Sequence, residues 1–423
     1  MVQKRGVRKS SARGKSVKKR VPKKNATKSS PKRKKTRKAP ARKVPSKKSR
    51  KSSKKLHEIP HFQRDYSMFT GKKLFLLLII IVLILAVLNI AKEQGLLIPK
   101  QGEIDIDGNT VRLSSMSIEQ KVAQMVVVGG HPSSFPVWKN MEVGGIHLFA
   151  MQTAHIFNNT IVDFQYKQPI PFFVTADLEG CVTPFGHIQN FSAASEVRTI
   201  GEAFEKGFRE GQFLRRIGFN LNFAPVVDLE DHIWNCRTFP GNESEIAELA
   251  HSYVLGLQNN GVIATAKHYP GKTLVVKDPH KFVVAAHINE QDVSPYAYLK
   301  GKGDVKAIMV SHIITTGEVD SNGIPSVVSP EVIGDLKKNY DGLIISDEIH
   351  MLGLKNFYNS VEEMYVGVYA AGNDIILNFD RDPNEVYRMI KVVSEAVREG
   401  DVSETQIDSS VRKILEAKGF VVE

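Results

Sequence analysis

Lys267-His268-Tyr269-Pro270-Gly271 is followed, at Asp278-Pro279-His280, by an acid and an imidazole two residues apart. A second short run, Ser346-Asp347-Glu348, closes the apolar stretch 342–346 and puts a carboxylate at its end. A carboxylate that attacks carbon and an imidazole that gives and takes a proton are the two groups a double displacement requires. Each also has an ordinary explanation. Ser-Asp after a strand is a common helix N-cap, and a histidine in a polar loop is usually just surface. The segment 273–277, ahead of the Asp-Pro-His run, holds three apolar residues, which an exposed loop does not require.

The elements that carry these residues occupy only part of the chain. Residues 1–73 hold 29 of the 58 Lys and Arg residues, with Glu58 and Asp65 as their only acids. The remainder is net acidic, with 29 basic against 43 acidic residues, so the whole-chain charge of +13 describes neither part. The basic segment is rich in Ser and Pro and nearly empty of apolar residues before Leu56. It cannot bury a core and is expected to be a disordered polybasic tail.

Lys72-Lys73 precede an uninterrupted apolar run over 74–88, then Asn89-Ile90-Ala91 before Lys92. Residues 74–91 as a helix span roughly 27 Å, enough for a bilayer core. A secretory signal would have a shorter basic region, a briefer apolar core and a small-residue cleavage site. A buried core helix would alternate, and this run does not. The expectation is one transmembrane helix at 74–91. A long polybasic tail resists translocation, so the tail is expected on the cytoplasmic side, with 92–423 extracytoplasmic at the cell membrane. The tail could rest on anionic lipid. Nucleic-acid contact would be unspecific, because the tail has no fold and no interleaved aromatics.

Beyond a stalk or linker at 92–112, residues 113–423 read as one α/β body. Apolar or β-branched segments recur at 125–128, 145–149, 171–175, 221–225, 263–267, 307–310, 343–346 and 375–378. Helical periodicity lies between many of them, at 196–217, 245–257, 330–336, 361–371 and 385–397, with a last helix at 404–417. Eight strands alternating with helices predict a (β/α)8 barrel of the TIM type. A doubly wound sheet would want a Gly-rich phosphate turn after an early strand, and none stands there. In a barrel the reactive groups belong just after strand ends. Asp177 and Glu179, Asp228 and Arg237, Lys267 and His268, Ser311 and His312, and Asp347 and Glu348 all fall there.

With these residues in place, the region from Leu113 onward resembles glycoside hydrolase family 3, in its single-domain β-N-acetylhexosaminidase branch. The ordered echoes are Ser117-Ile-Glu-Gln-Lys-Val-Ala-Gln-Met125, Gly144-Gly-Ile-His-Leu-Phe149, Asp177-Leu-Glu-Gly180, Asn222-Phe-Ala-Pro-Val-Val-Asp228, Arg237-Thr-Phe239, Lys267-His-Tyr-Pro-Gly271, Asp278-Pro-His280, Ser311-His312 and Ser346-Asp-Glu-Ile-His-Met351. The resemblance implies Asp347 as the nucleophile that forms a covalent glycosyl-enzyme. It implies His280 as acid/base on a loop after the fifth strand, with Asp278 orienting its ring. Imidazole, with an ordinary pKa of about 6.5, suits both directions of proton transfer. Asp177, Arg237, Lys267 and His268 match positions that grip the sugar. The ligand implied is a glycan, with no metal or organic cofactor.

The chain also departs from that pattern. Pro270-Gly271 runs on into Lys272-Thr273-Leu274 where the family has His-Gly-Asp. Glu179-Gly180-Cys181-Val182 lacks the family's second glycine and arginine, and Pro184 stands where a further arginine is expected, so a sugar-binding cation is missing. Glu348 replaces a common Asp. Cys181 and Cys236, the only cysteines, both fall within site motifs, on loops that the resemblance puts at one barrel face; they are either a disulfide bracing the pocket or two buried thiols. Phosphorolysis is a close variant, since a histidine acid/base does not repel incoming phosphate. The rival reading is a catalytically impaired glycan-binding or scaffold protein on the same barrel.

Overall fold

The computed structural model describes residues 71–273, 277, 278 and 280–423. The basic tail up to residue 70, residues 274–276 ahead of Asp278, and Pro279 lie outside the described residues.

Eight parallel strands form the body: β1 (Val126–Gly129), β2 (Gly145–His147), β3 (Phe173–Ala176), β4 (Leu221–Asn222), β5 (Ile263–Tyr269), β6 (Ala307–Val310), β7 (Leu343–Ser346) and β8 (Ile376–Asn378). Neighbours in sequence are neighbours in the sheet, and β8 pairs with β1. An Ile345–Ile375 bridge joins the β7 and β8 edges, so the sheet curls into a nearly closed barrel. Each strand segment predicted from the sequence coincides with one of these. Almost every strand residue is buried because helices cover the outside and side chains fill the inside, which is why the strands read as continuous apolar runs.

The outer helices stop and start where their sequences dictate. Thr199 caps the helix Ile200–Ile217 in a reciprocal box with Glu202, and Gly218 ends it at φ 102°. Pro330 opens Pro330–Lys337 under a Ser329 cap. β5 shifts register against β6 between Ala266 and Tyr269, across Lys267 and His268. Such a bulge re-aims side chains, and here it lies at the barrel mouth.

The helix Gly71–Glu93 buries no residue and is the one helix among the described residues long and apolar enough to cross a membrane. It begins three residues earlier than the predicted span and ends two later, because Lys72, Lys73 and Lys92 are themselves good helix formers. The stretch expected to be a stalk is not free. Gly95 and Ile98 are buried, and Ile106–Asp107 and Thr110–Val111 form a hairpin whose second strand pairs with Val421–Val422.

Candidate active site

The loop after β3 carries two carboxylates toward the mouth, and β5 supplies the cation between them. Lys267 Nζ lies 2.7 Å from Asp177 Oδ1 and 2.7 Å from Glu179 Oε1. Glu179 is buried and also takes a two-pronged contact from Arg237, with Nε at 2.6 Å and Nη2 at 3.0 Å. Burial would raise the Glu179 carboxyl, but Lys267 and Arg237 outweigh it and hold its pKa below the ordinary value. Asp177 is likewise brought to about 2, with burial opposed first by Lys267 and then by His147. Burial pulls Lys267 down, and the two carboxylates more than restore it, so it stays charged. Asp177 is one-third exposed on the cavity, whereas Glu179 lines the same cavity but is almost fully buried beneath it.

Backbone geometry holds this network in place. Gly180 adopts φ 104°, and a Cβ there would fall 2.0 Å from Ser192 O. Only glycine fits beside Glu179. Asp231 fixes the Arg237 loop by accepting the backbone N–H groups of Ile233, Trp234, Cys236 and Arg237. His268 Nδ1 meets the fully buried Asp228 Oδ2 at 2.9 Å. A disulfide joins Cys181 to Cys236 (Cα–Cα 6.2 Å), tying the β3 loop to the β4 loop beside Glu179 and Arg237.

Asp347 stands at the end of β7, with its backbone N–H on Val310 O at 3.0 Å. Its Oδ1 accepts the Glu348 N–H at 2.8 Å. Burial pushes its carboxyl up, and His312, His268 and His280 together bring it below the ordinary value. It is therefore an ionised carboxylate at neutral pH. His312 is fully enclosed, its pKa lowered by burial, and its Nε2 donates to Glu348 O at 2.7 Å.

Glu348 behaves differently from its neighbour. Burial, with Asp347 and Asp380 adding to it, pushes its carboxyl up to about 7 against the N–H groups of His350 and Phe379 that its Oε1 accepts. A raised carboxyl means the folded chain binds more protons than the unfolded one between about pH 4.5 and 7, so stability falls as pH rises through that window. Glu348→Gln keeps the accepting oxygen and removes the titration. We expect its stability, read from the unfolding midpoint, to match the parent's at pH 4 and to exceed it at pH 8 by roughly 3 kcal/mol at most. Equal midpoints at both pH values would show that Glu348 is not held neutral.

His280 Nδ1 lies 2.7 Å from Asp278 Oδ1, which also accepts the His280 backbone N–H. Burial raises Asp278, but His280 and then Lys281 hold it below the ordinary carboxylate value. The loop is tied across to the one after β7 by Leu352 N–H on His280 O (3.2 Å). Trp234 links two parts of the site, edge-on to His280 at 6.1 Å and under the Arg237 guanidinium at 4.6 Å.

Asp177, Arg237, Lys267, His268, His280 and Asp347 all line one cavity of about 340 Å³. Asp278 backs it through His280. Glu179 and Glu348, noted in the sequence only as strand-end residues, also line it, as do Trp234 and the ring pair Phe149 and Phe379. His147 stood in the run 144–149 noted in the sequence but was not singled out as a site residue. It lies between the rings of Phe223 and Phe379, 3.7 Å from Asp177 Oδ2, and burial brings its pKa to about 4. The signal for it was a lone histidine inside an otherwise apolar strand. Trp234, one of two tryptophans and in a loop after a strand, could have been singled out as a stacking residue. Among the described residues no cluster of three or more His, Cys, Asp or Glu side chains could hold a metal ion.

The model of the glycosyl hydrolase family 3 N-terminal domain matches residues 117–417. The chain belongs to glycosyl hydrolase family 3. Among the family's curated members, a β-N-acetylglucosaminidase/β-glucosidase of Cellulomonas fimi is 27% identical over 337 residues, covering 72% of this chain and 58% of that protein. The chain thus matches little more than half of that relative's length. The β-hexosaminidase LpqI of Mycobacterium tuberculosis is 25% identical over 333 residues, 72% of this chain and 83% of LpqI. Its solved structure superposes with a TM-score of 0.66 at 26% identity, covering 72% of this chain and 95% of that one. A family 3 β-N-acetylglucosaminidase from a Paenibacillus species superposes at 0.65 with 26% identity, over 72% of this chain and 62% of that one.

Proposed function

We propose that this family 3 chain is a membrane-anchored, retaining glycosidase that hydrolyses β-linked N-acetylhexosaminides. The observation that carries this reading is the opening of Asp347 and His280, the latter backed by Asp278, onto one cavity beside the Asp177–Lys267–Glu179–Arg237 network. In the first step Asp347 attacks the anomeric carbon while His280, protonated on both nitrogens, gives its Nε2 proton to the departing oxygen. Asp278 holds Nδ1 and stabilises the cationic ring. In the second step His280 takes a proton from water as the water displaces Asp347. Asp177, Lys267, Arg237 and His268 position the sugar hydroxyls. The relatives named for N-acetylglucosaminidase and hexosaminidase activity support the choice of sugar. The helix Gly71–Glu93 serves as the single anchor, with the basic tail in the cytoplasm, where it can rest on anionic lipid, and the barrel outside.

His280→Ala separates the two steps. Hydrolysis of an alkyl N-acetylglucosaminide, whose leaving group needs protonation, is expected to fall by about 10²–10⁴-fold. A dinitrophenyl glycoside should lose far less in the first step, and added azide should restore turnover by giving the β-glycosyl azide. An equal loss on both leaving groups, without azide rescue, would remove His280 from the acid/base role.

A further inference from the structure

The chain leaves the apolar helix at the catalytic face of the barrel. Lys92 O accepts a hydrogen bond from Asn384 Nδ2 (2.9 Å), at the start of the helix Pro383–Glu399 that follows β8. Gly95 packs so closely there that a Cβ would come within 2.7 Å of Pro383 Cγ and 3.1 Å of Val137 Cγ1. Pro383 and Val137 both lie in the first turns of helices that begin after strand C-termini, the end that holds the cavity. From Gly95 the chain descends the barrel's flank. Ile98 enters the core, Gln101 N–H meets Asn140 O, and the hairpin at 106–111 joins Val421–Val422 after the last helix. Glu93 ends the span and Gly95 is already packed, so no free linker separates the mouth from the end of the span.

The same face exposes apolar side chains: Leu96 and Leu97 beside the span, Phe282 and Val283 after β5, Leu352 and Phe357 after β7. Lysines are interleaved with them. Lys277 Nζ lies 5.4 Å over the Phe282 ring, Lys281 precedes that ring, and Lys355 stands exposed between Leu352 and Phe357. Apolar side chains flanked by cations make a surface suited to the interface of an anionic bilayer, where the rings enter and the ammonium groups stay at the headgroups.

We infer that the barrel sits with its catalytic mouth toward the bilayer and takes β-N-acetylhexosaminides displayed at the lipid surface, such as lipid-linked glycans. This rests on the anchor and glycosidase readings above.

The test uses the full chain in vesicles of phosphatidylcholine and phosphatidylglycerol, with nitroxide labels on Phe357→Cys or, at the opposite face, Val421→Cys. The label at 357 should be shielded from a water-soluble nickel complex and accessible to oxygen, and the label at 421 the reverse. Phe282→Ser combined with Phe357→Ser should leave a soluble aryl glycoside unchanged and slow a lipid-linked one by about tenfold, the factor given by roughly 1.4 kcal/mol. Co-flotation with both labels open to nickel would overturn the orientation and leave the anchor standing. Failure to co-float would overturn the anchor and the inference together. Activity on neither substrate would overturn the substrate half through the glycosidase reading, while the labels would still report orientation.

Discussion

Asp347→Asn is expected to lower turnover of aryl β-N-acetylglucosaminides by at least about 10³-fold, with folding and sugar binding kept. The barrel holds this residue by its backbone, through N–H on Val310 O, so the substitution leaves its position set. An amide oxygen still accepts the Glu348 N–H that Oδ1 accepts now. What disappears is the negative charge of a buried carboxylate whose pKa is held below the ordinary value. No other carboxylate on the cavity can take over. Glu348, its carboxyl pushed up to about 7, is partly protonated at neutral pH, and its Oε1 is held by the His350 and Phe379 N–H groups. Asp177 and Glu179 are occupied by Lys267 and Arg237. Thermal unfolding and inhibitor binding unlike the parent's would assign Asp347 to structure. Residual activity above a tenth of the parent's would put the nucleophile elsewhere. A parent that binds sugar and turns nothing over would favour the glycan-binding reading.

Glu179→Ala is expected to destabilise the folded chain by about 3–5 kcal/mol, the range found when one partner of a buried ion pair is removed. Among the described residues Glu179 is the one acid contacted by both Arg237 and Lys267, and all three side chains are almost fully buried. Without it, two buried cations face each other across the site. Lys267 keeps Asp177, but Arg237 is left with the Trp234 ring and a 3.5 Å contact to His268 Nε2. Activity should fall too, since Lys267 and Asp177 lose the group that fixes their spacing. Urea unfolding at neutral pH measures the first effect. A midpoint within error of the parent's would show that water compensates the cations, and that the network is less dry than its burial implies.

The barrel was legible because its strands are buried on both faces and so read as apolar runs, from 125–128 to 375–378. Short or half-exposed pieces were not. The pair Ala285–Ile288 and Ile314–Gly317 is mostly open to water and mixes Thr, His and Gly. The helix Glu290–Lys302 hides behind an internal Pro295 and a weak apolar stripe. In the site, charged residues after strand ends were visible from residue type and place alone. The pairing among them was not, because nothing in Asp177-Leu-Glu179 says that the first acid opens on the cavity and the second lies beneath it. His147 carried a weaker signal, a single polar residue in a core strand, and its stacking between Phe223 and Phe379 beside Asp177 depends on residues distant in sequence. The course of 92–112 down the barrel flank depends on contacts with Pro383, Val137 and Val421, which are distant in sequence.

The most direct measurement is to trap the intermediate. The chain would be incubated with an activated 5-fluoro N-acetylglucosaminyl donor, which slows the second step, and its peptides read by mass spectrometry. The expected result is one sugar on the peptide containing Asp347, none on Asp347→Asn, and product of retained β configuration from the ordinary substrate. A sugar on another carboxylate, or inverted product with no label, would contradict the proposed mechanism.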